Sequence, residues 1–427
     1  MPPLPIMWSD PGSYGLTVFH DRHPELVRRL AAAFPLAARQ LDALEGLVAE
    51  TLHGVVRPLP PEAHDAARWA AWAEHGRYYE RPWTQAPFLW AESYFYRRLL
   101  GAFGYFDSGP GAGPWQGIDP FGPTKHVELD GPAVDEELAG LAATARLDAD
   151  ELPYALVMAS LWGNRADLGF RLTAKTDAGT AKTDAGTADS TSGTAGTDSG
   201  TARHRYGPQG PLVADDTARL LRHLAAEPGG RVCVVADNAG GELIPDLVLI
   251  DHLLDTGLAA DVVLHVKPHP YYVSDATPAD VLACLRRLKA APGYAGRVGE
   301  RLWQATAARQ LDVRTHTFAC APLPYTAMPA DLRADFASAT VTILKGDLNH
   351  RRLVGDLHWP PTTPFRDTVG YFPGPVASLR TLKSDVIVGL EPDTVCRLDA
   401  TEPAWRTSGT HALVQFHAPP DTTTRTN

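Results

Sequence analysis

The apolar positions fall into two rhythms. Over residues 23–52, Leu26, Leu30, Ala33, Leu41, Leu44 and Val48 recur at helical spacing, with an interruption near Phe34-Pro35. Residues 61–79 read as a second helix, with prolines near its start, where the missing N–H costs no helix bond. Residues 80–100 (ERPWTQAPFLWAESYFYRRLL) read as a third, mostly buried helix with Thr84 as N-cap. The chain to about residue 105 is therefore expected to be helical. Residues 108–132 are rich in Gly and Pro and predict a loop, followed by helices over 133–146 and 152–162. After Asp215 the rhythm changes. Short β-branched apolar runs at 231–236, 261–266, 341–344, 385–390 and 411–416 predict strands. They alternate with helical stretches at 216–226, 242–256, 278–290, 301–310 and 329–337. Such alternation predicts an α/β fold, with a mostly parallel sheet covered by helices on both faces.

One stretch interrupts both rhythms. Residues 174–202 contain only Ala, Lys, Thr, Asp, Gly and Ser, and KTDAGTA repeats in tandem at 175–181 and 182–188. This composition cannot bury enough apolar surface to offset its ordering entropy, and it predicts a disordered surface insertion.

Composition narrows the function classes. A formal charge of −11 over 427 residues removes the basic footprint expected of nucleic-acid or anionic-membrane binding. No apolar run is long enough to span a bilayer, and the N-terminal stretch lacks the basic and apolar regions of a signal peptide. The four cysteines are widely spaced, which argues against a disulfide framework or zinc site and for a cytoplasmic setting. Neither a nucleic acid nor a membrane is therefore the expected partner, which leaves a small metabolite. The sequence leaves the oligomeric state open.

Three strand ends carry polar clusters of one kind. RVCVVADNAGGE, residues 231–242, runs from a buried strand through a glycine turn into a helix, and offers Asp237, Asn238 and Glu242. The second cluster offers Lys267, Ser274 and Asp275. The third, Lys345-Gly346-Asp347-Leu348-Asn349-His350-Arg351, offers Lys345, Asp347, Asn349 and Arg351. Parallel strands present their carboxyl ends on one edge, where open α/β sheets bind ligands. Two Asp and an Asn carbonyl form an all-oxygen set suited to Mg²⁺ or Mn²⁺. Nearby Lys and Arg suit phosphate oxygens, and a helix N-terminus adds free N–H groups. Together these are the equipment of phosphoryl transfer. Each residue also has a plainer role open to it. Asp237 or Asn238 could cap the following helix, Asp275 and Asp347 could form turns, and Arg351 could make a surface pair. His265, His269 and His350 fit structural roles better than metal ligation, since no His spacing supports a site.

The stretches ERPWTQAPFLWAESYFYRRLL, SLWGNRADL, DNAGGELIPDLVLIDHLL, KPHPYYVSDAT, LKGDLNHRRLVGD and RTLKSDVIVGL together resemble the DUF89 damage-control phosphatases. The match is to their third subfamily, which includes the acidic residue methyltransferase 1 proteins and carries an Arg-Thr-x-Lys motif, here Arg380-Thr381-Leu382-Lys383. The resemblance implies a mainly helical N-terminal domain (1–150) and a Rossmann-like α/β domain (151–427) holding the low-complexity insertion. It implies divalent-metal-dependent hydrolysis of sugar phosphates such as fructose 1-phosphate, or of damaged phosphometabolites. Mn²⁺ or Mg²⁺ is the expected cofactor, with Co²⁺ or Ni²⁺ as further candidates. The implied metal and catalytic set is Asp237, Asn238 and Asp275. The implied substrate contacts are Glu242, Asp347, Leu348, Asn349, His350, Arg351 and Lys383. Two other readings stay open. One is S-adenosylmethionine-dependent protein carboxyl methylation, with Glu242 and Asp275 at the cofactor. The other is a non-enzymatic protein that binds metal and sugar phosphate.

Overall fold

The computed structural model of the chain describes residues 3–108, 112–163 and 210–419. The expected insertion at 174–202, and residues 164–168 of the SLWGNRADL stretch, lie outside the described residues.

Seven strands make one sheet: β1 (Leu212–Asp215), β2 (Gly230–Val235), β3 (Ala259–Val266), β4 (Leu311–Thr315), β5 (Val341–Lys345), β6 (Val376–Thr381) and β7 (Ala412–His417). Their order is β1-β7-β6-β5-β2-β3-β4. Every neighbouring pair is parallel except β6 and β7. The mostly parallel α/β sheet read from the sequence is therefore present. Moving outward from β2, the chain adds β3 and β4 on one side, then crosses to place β5 and β6 on the other. This reversal opens a crevice at the carboxyl ends of β2 and β5.

Side-chain alternation divides the core. Val232 and Val234 of β2 face one way, with Leu264, Ile343 and the helix Leu243–Asp255. Cys233 and Val235 face the other way, into a cluster shared with Trp83, Trp90, Tyr94 and Phe95 of the N-terminal region. The period of two along a strand makes both faces apolar, as a sheet covered on both sides requires. The N-terminal helices thus lie over one face of the sheet and reach its carboxyl edge.

Several local expectations are corrected. The helix expected over 61–79 is only Ala66–Trp72, because Glu74, His75 and Gly76 adopt positive φ and end it. The third helix is Phe88–Phe103 and starts after Pro87; Thr84 lies instead in a 3₁₀ turn, Trp83–Gln85. The loop expected over 108–132 contains the helix Gly122–Leu129, with a proline in its first turn. The helix expected at 301–310 begins at Gly293 and ends at Ala307. Residues 385–390 are not a strand. Val386, Ile387 and Val388 are fully buried, but Val386 O and Val388 O accept from the Arg380 and Gln415 side chains rather than from a neighbouring strand. β1, β4, β6 and the helix Pro392–Thr401 are additions to the sequence reading.

Candidate active site

The chain leaves β2 at Val235 and stays paired to the segment after β3. That segment doubles back, so Asn238 and Asp275 form an antiparallel bridge. Ala239 N–H donates to Ser274 O at 2.7 Å, and Ala276 N–H donates to Asp237 O at 2.9 Å. Two strand ends are thereby locked together, and Asp237, Asn238 and Asp275 face one cavity. All three are buried. The Ser274 hydroxyl donates to Asn238 Oδ1 at 2.7 Å, which leaves the second lone pair of that carbonyl for a ligand. Asn238 Nδ2 donates to Glu242 Oε2 at 2.8 Å and so fixes the amide orientation.

The third strand end approaches closely. Gly346, first in the helix Gly346–Val354, has φ +83°, and a Cβ there would meet Asp237 Oδ2 at 1.7 Å. Glycine at this position allows the backbone to pass against the Asp237 carboxylate. Asp347 and Leu348 follow and line the same cavity. Asp347 Oδ1 accepts from Arg380 Nε at 2.8 Å, from Lys383 N–H at 3.2 Å and from Ser384 Oγ at 3.2 Å. The Arg-Thr-x-Lys segment at the end of β6 is thus tied to the end of β5, and Lys383 also lines the cavity.

Arg351 lines the cavity one helical turn beyond Asp347, but its fork is engaged. Nε and one Nη donate to Asp356 Oδ1 and Oδ2 at 2.7 and 3.0 Å. The other Nη lies 3.7 Å from Glu92, and the guanidinium sits over the Phe88 ring. These acidic neighbours hold the Arg351 pKa up against the opposing effect of its burial.

Not every expected site residue reaches the cavity. Glu242 is buried behind Asn238, and burial together with Asp237 holds its carboxyl well above the usual carboxylate range. Because a 3₁₀ turn, Gly240–Glu242, separates Asn238 from the helix Leu243–Asp255, that helix N-terminus does not line the cavity. Asn349 Nδ2 donates to Ala236 O and Lys345 O at 3.1 and 2.8 Å, stitching β2 to the start of the next helix. His350 faces Ser378 of β6, at 2.9 Å, and burial lowers its pKa. Lys345 is paired with Asp246 at 2.7 Å inside the core, away from the cavity. Lys267 lies 3.5 Å from Asp275 Oδ2, beside the candidate metal-binding oxygens.

The cavity's other wall comes from the N-terminal region: Tyr14, Arg22, Glu92 and Tyr96, with Tyr272 beside them. Sequence reading did not single these out. The one visible signal was Glu92, a carboxylate inside an otherwise aromatic and apolar helix. Arg380, which holds Asp347, was visible only as the first residue of the Arg-Thr-x-Lys motif.

The donors present suit a hard divalent ion. Asp237, Asn238 and Asp275 offer oxygen only, from two carboxylates and an amide. Among the described residues, no group of three His, Cys, Asp or Glu side chains is arranged to hold a metal. Water and substrate oxygens would therefore complete the shell, as Mg²⁺ and Mn²⁺ sites in phosphoryl-transfer proteins commonly require.

Comparisons with known proteins bear on this geometry. The damage-control phosphatase ARMT1-like domain matches residues 18–397. The chain is 30% identical to mouse damage-control phosphatase ARMT1 over 389 residues, covering 85% of this chain and 83% of that protein. It is 39% identical to the Xenopus tropicalis protein of the same name over 192 residues, covering 44% of this chain and 43% of that one. A solved DUF89 family protein from Pyrococcus horikoshii aligns with a TM-score of 0.44 and 15% identity, over 89% of this chain and 93% of that one. The chain belongs to the damage-control phosphatase ARMT1-like family, and with it to the divalent-metal-dependent phosphatases.

Proposed function

We propose that this phosphatase hydrolyses sugar phosphates of the fructose 1-phosphate kind, using Mn²⁺ or Mg²⁺ held by Asp237, Asn238 and Asp275, with Co²⁺ or Ni²⁺ able to substitute. The observation that carries the reading is the meeting of three strand ends in one cavity, which is lined by the oxygen donors Asp237, Asn238 and Asp275 together with the cations Lys383 and Arg351. A bound divalent ion supplies charge stabilisation to the transferring phosphoryl group. Asp237, Asn238 and Asp275 hold it. Lys383 contributes a point charge toward the phosphate oxygens, and Arg351 a cation whose position Asp356 fixes. The polar far wall, with Arg22, Glu92 and the hydroxyls of Tyr14, Tyr96 and Tyr272, suits a hydroxylated alcohol portion better than an apolar one. The metal set acts as catalytic centre in this reading, and Asp347 and Leu348 act as substrate-side neighbours of the phosphate.

The test is a panel of phosphomonoesters, scored for phosphate release with each of Mg²⁺, Mn²⁺, Co²⁺ and Ni²⁺. The expected result is preference for a phosphorylated sugar over nucleotides and phosphoamino acids. Equal turnover of every phosphomonoester would remove the sugar assignment and leave a general phosphatase. No release from any would remove the reading.

A further inference from the structure

Hydrolysis of an alkyl phosphate leaves an alkoxide, a poor leaving group that needs a proton as the bond to phosphorus breaks. Among the described residues, the cavity lining contains no histidine and no cysteine. Its carboxylates on the sheet side, Asp237 and Asp275, belong to the metal set, and Asp347 is occupied by Arg380 and Ser384. One other carboxyl group lines the cavity: Glu92, on the opposite wall, in the helix Phe88–Phe103.

We propose that Glu92 is the general acid that protonates the leaving alcohol oxygen. This rests on the phosphomonoesterase reading above. The placement is the first support. The phosphate is held at the sheet edge, so the alcohol portion extends toward the helical wall from which Glu92 enters the cavity. The charge arrangement is the second. Arg351 gives its bidentate face to Asp356 and stands 3.7 Å from Glu92, too far for a hydrogen bond that would hold Glu92 as an anion. Asp356 accepts both of those bonds, so Arg351 and Arg22 act on the buried Glu92 carboxyl through space, with no hydrogen bond from Arg351. Burial, opposed by Arg351 and Arg22 and reinforced by Asp356 and Asp347, pushes its carboxyl up to about 7. Tyr272, whose own pKa is raised by burial and by Glu92, also faces it. A carboxyl poised near neutrality is well matched to proton donation.

In the step, a water oxygen forms a new bond to phosphorus while the bond from phosphorus to the alcohol oxygen breaks. The electron pair of the broken bond stays on the alcohol oxygen, which takes the Glu92 proton and leaves as a neutral alcohol. One proton of the water stays on the product phosphate, and the other restores the Glu92 carboxyl through solvent.

The experiment compares wild type with Glu92→Gln, a near-isosteric neutral replacement, in Mn²⁺, on two substrates. Fructose 1-phosphate needs the proton; 4-nitrophenyl phosphate releases a stabilised phenolate and does not. Glu92→Gln should lose roughly 10²–10⁴-fold in turnover of fructose 1-phosphate, the usual contribution of a general acid. The loss on 4-nitrophenyl phosphate should be at least tenfold smaller. In wild type, turnover of fructose 1-phosphate should fall as pH rises through about 7, and Glu92→Gln should not show that fall. Equal losses on both substrates, or no loss on either, would overturn the assignment while leaving the phosphatase reading intact. A wild-type protein inactive on both would overturn the two together.

Discussion

Lys383 and Arg351 reach the same cavity under different constraints, and substituting them should give different results. Arg351 balances two buried carboxylates, Asp356 and Glu92. Removing it leaves Asp356 without its hydrogen-bonded cation, a change that costs about 3–5 kcal/mol when one partner of a buried pair is lost. Arg351→Ala should therefore lower the midpoint of urea unfolding as well as activity. Lys383 is a single ammonium at the cavity wall. Lys383→Ala should keep Mn²⁺ affinity while lowering kcat/KM for a sugar phosphate. A hydrogen bond to a charged group is worth about 1.5–3 kcal/mol, roughly ten- to a hundredfold in rate. Wild-type kinetics in Lys383→Ala would remove it from the phosphate site. At this scale the sequence was informative where a residue follows a strand. Asp237 and Asn238 stand just past the end of a β-branched run and Asp275 in the segment that follows the next one, and the structure brings them together. Asn349, His350 and Lys345 lie in the same kind of segment, yet the backbone of β2, Ser378 and Asp246 claim their side chains. Residue type shows what a side chain can bind, and its neighbours in space decide whether it is free to do so. Glu92 and Arg22 were not legible because they belong to helices packed over the sheet, and only tertiary contact carries them to its edge.

The elements show where pattern reading works and where it fails. Central strands β2, β3 and β5 are buried on both faces and read directly as apolar runs. β6 reads poorly because Ser378, Arg380 and Thr381 are polar, although all three are fully buried. Residues 385–390 failed in the opposite sense, since burial selects apolar residues whether or not a neighbouring strand pairs with them. The helix Gly122–Leu129 was hidden among Gly and Pro, and it contributes a residue of consequence. Lys125 Nζ donates to Asp119 Oδ2 at 2.9 Å, Asp280 Oδ2 at 3.0 Å and the Asp275 carbonyl at 2.8 Å. Asp280 in turn accepts from Thr277 N–H at 2.8 Å and closes the N-terminus of the helix Pro278–Ala290. Lys125 thus pins, from the helical layer, the backbone of Asp275, one of the proposed metal ligands. Lys125→Met keeps the aliphatic stem and removes the pin. It should weaken Mn²⁺ binding by about 10–100-fold, as loss of groups that support metal ligands commonly does. Calorimetric titration of the folded variant checks this, and an unchanged affinity would show that Asp275 is held well enough without Lys125.

For the molecule as a whole, the core contains buried histidines, one within the N-terminal helical layer and one against the sheet, that acid should protonate. His23 lies parallel to Phe95 with ring centroids 3.6 Å apart, fully buried, and both its ring nitrogens lack a hydrogen-bond partner among the described residues. Burial, helped by Arg22, lowers its pKa well below 6.5. His350, buried near Arg380, is shifted the same way. With the folded pKa depressed, the unfolded chain binds more protons as pH drops below 6.5, so unfolding is favoured on that side. Stability should be retained above pH 6.5 and fall progressively below it, and His23→Phe should make that fall shallower. Thermal unfolding from pH 7.5 to 5 reads this directly; identical slopes in both proteins would contradict it. The claim on which most else depends is that the crevice at the ends of β2, β3 and β5 is a metal-dependent phosphatase site. It is tested most directly by stripping the protein with a chelator and following phosphate release from fructose 1-phosphate as Mn²⁺ is restored, in wild type and Asp237→Ala. The account predicts no release from the stripped protein, saturable recovery in wild type, and no recovery in a folded Asp237→Ala at the same Mn²⁺ concentrations. Undiminished release from stripped wild type, or from Asp237→Ala, would contradict it.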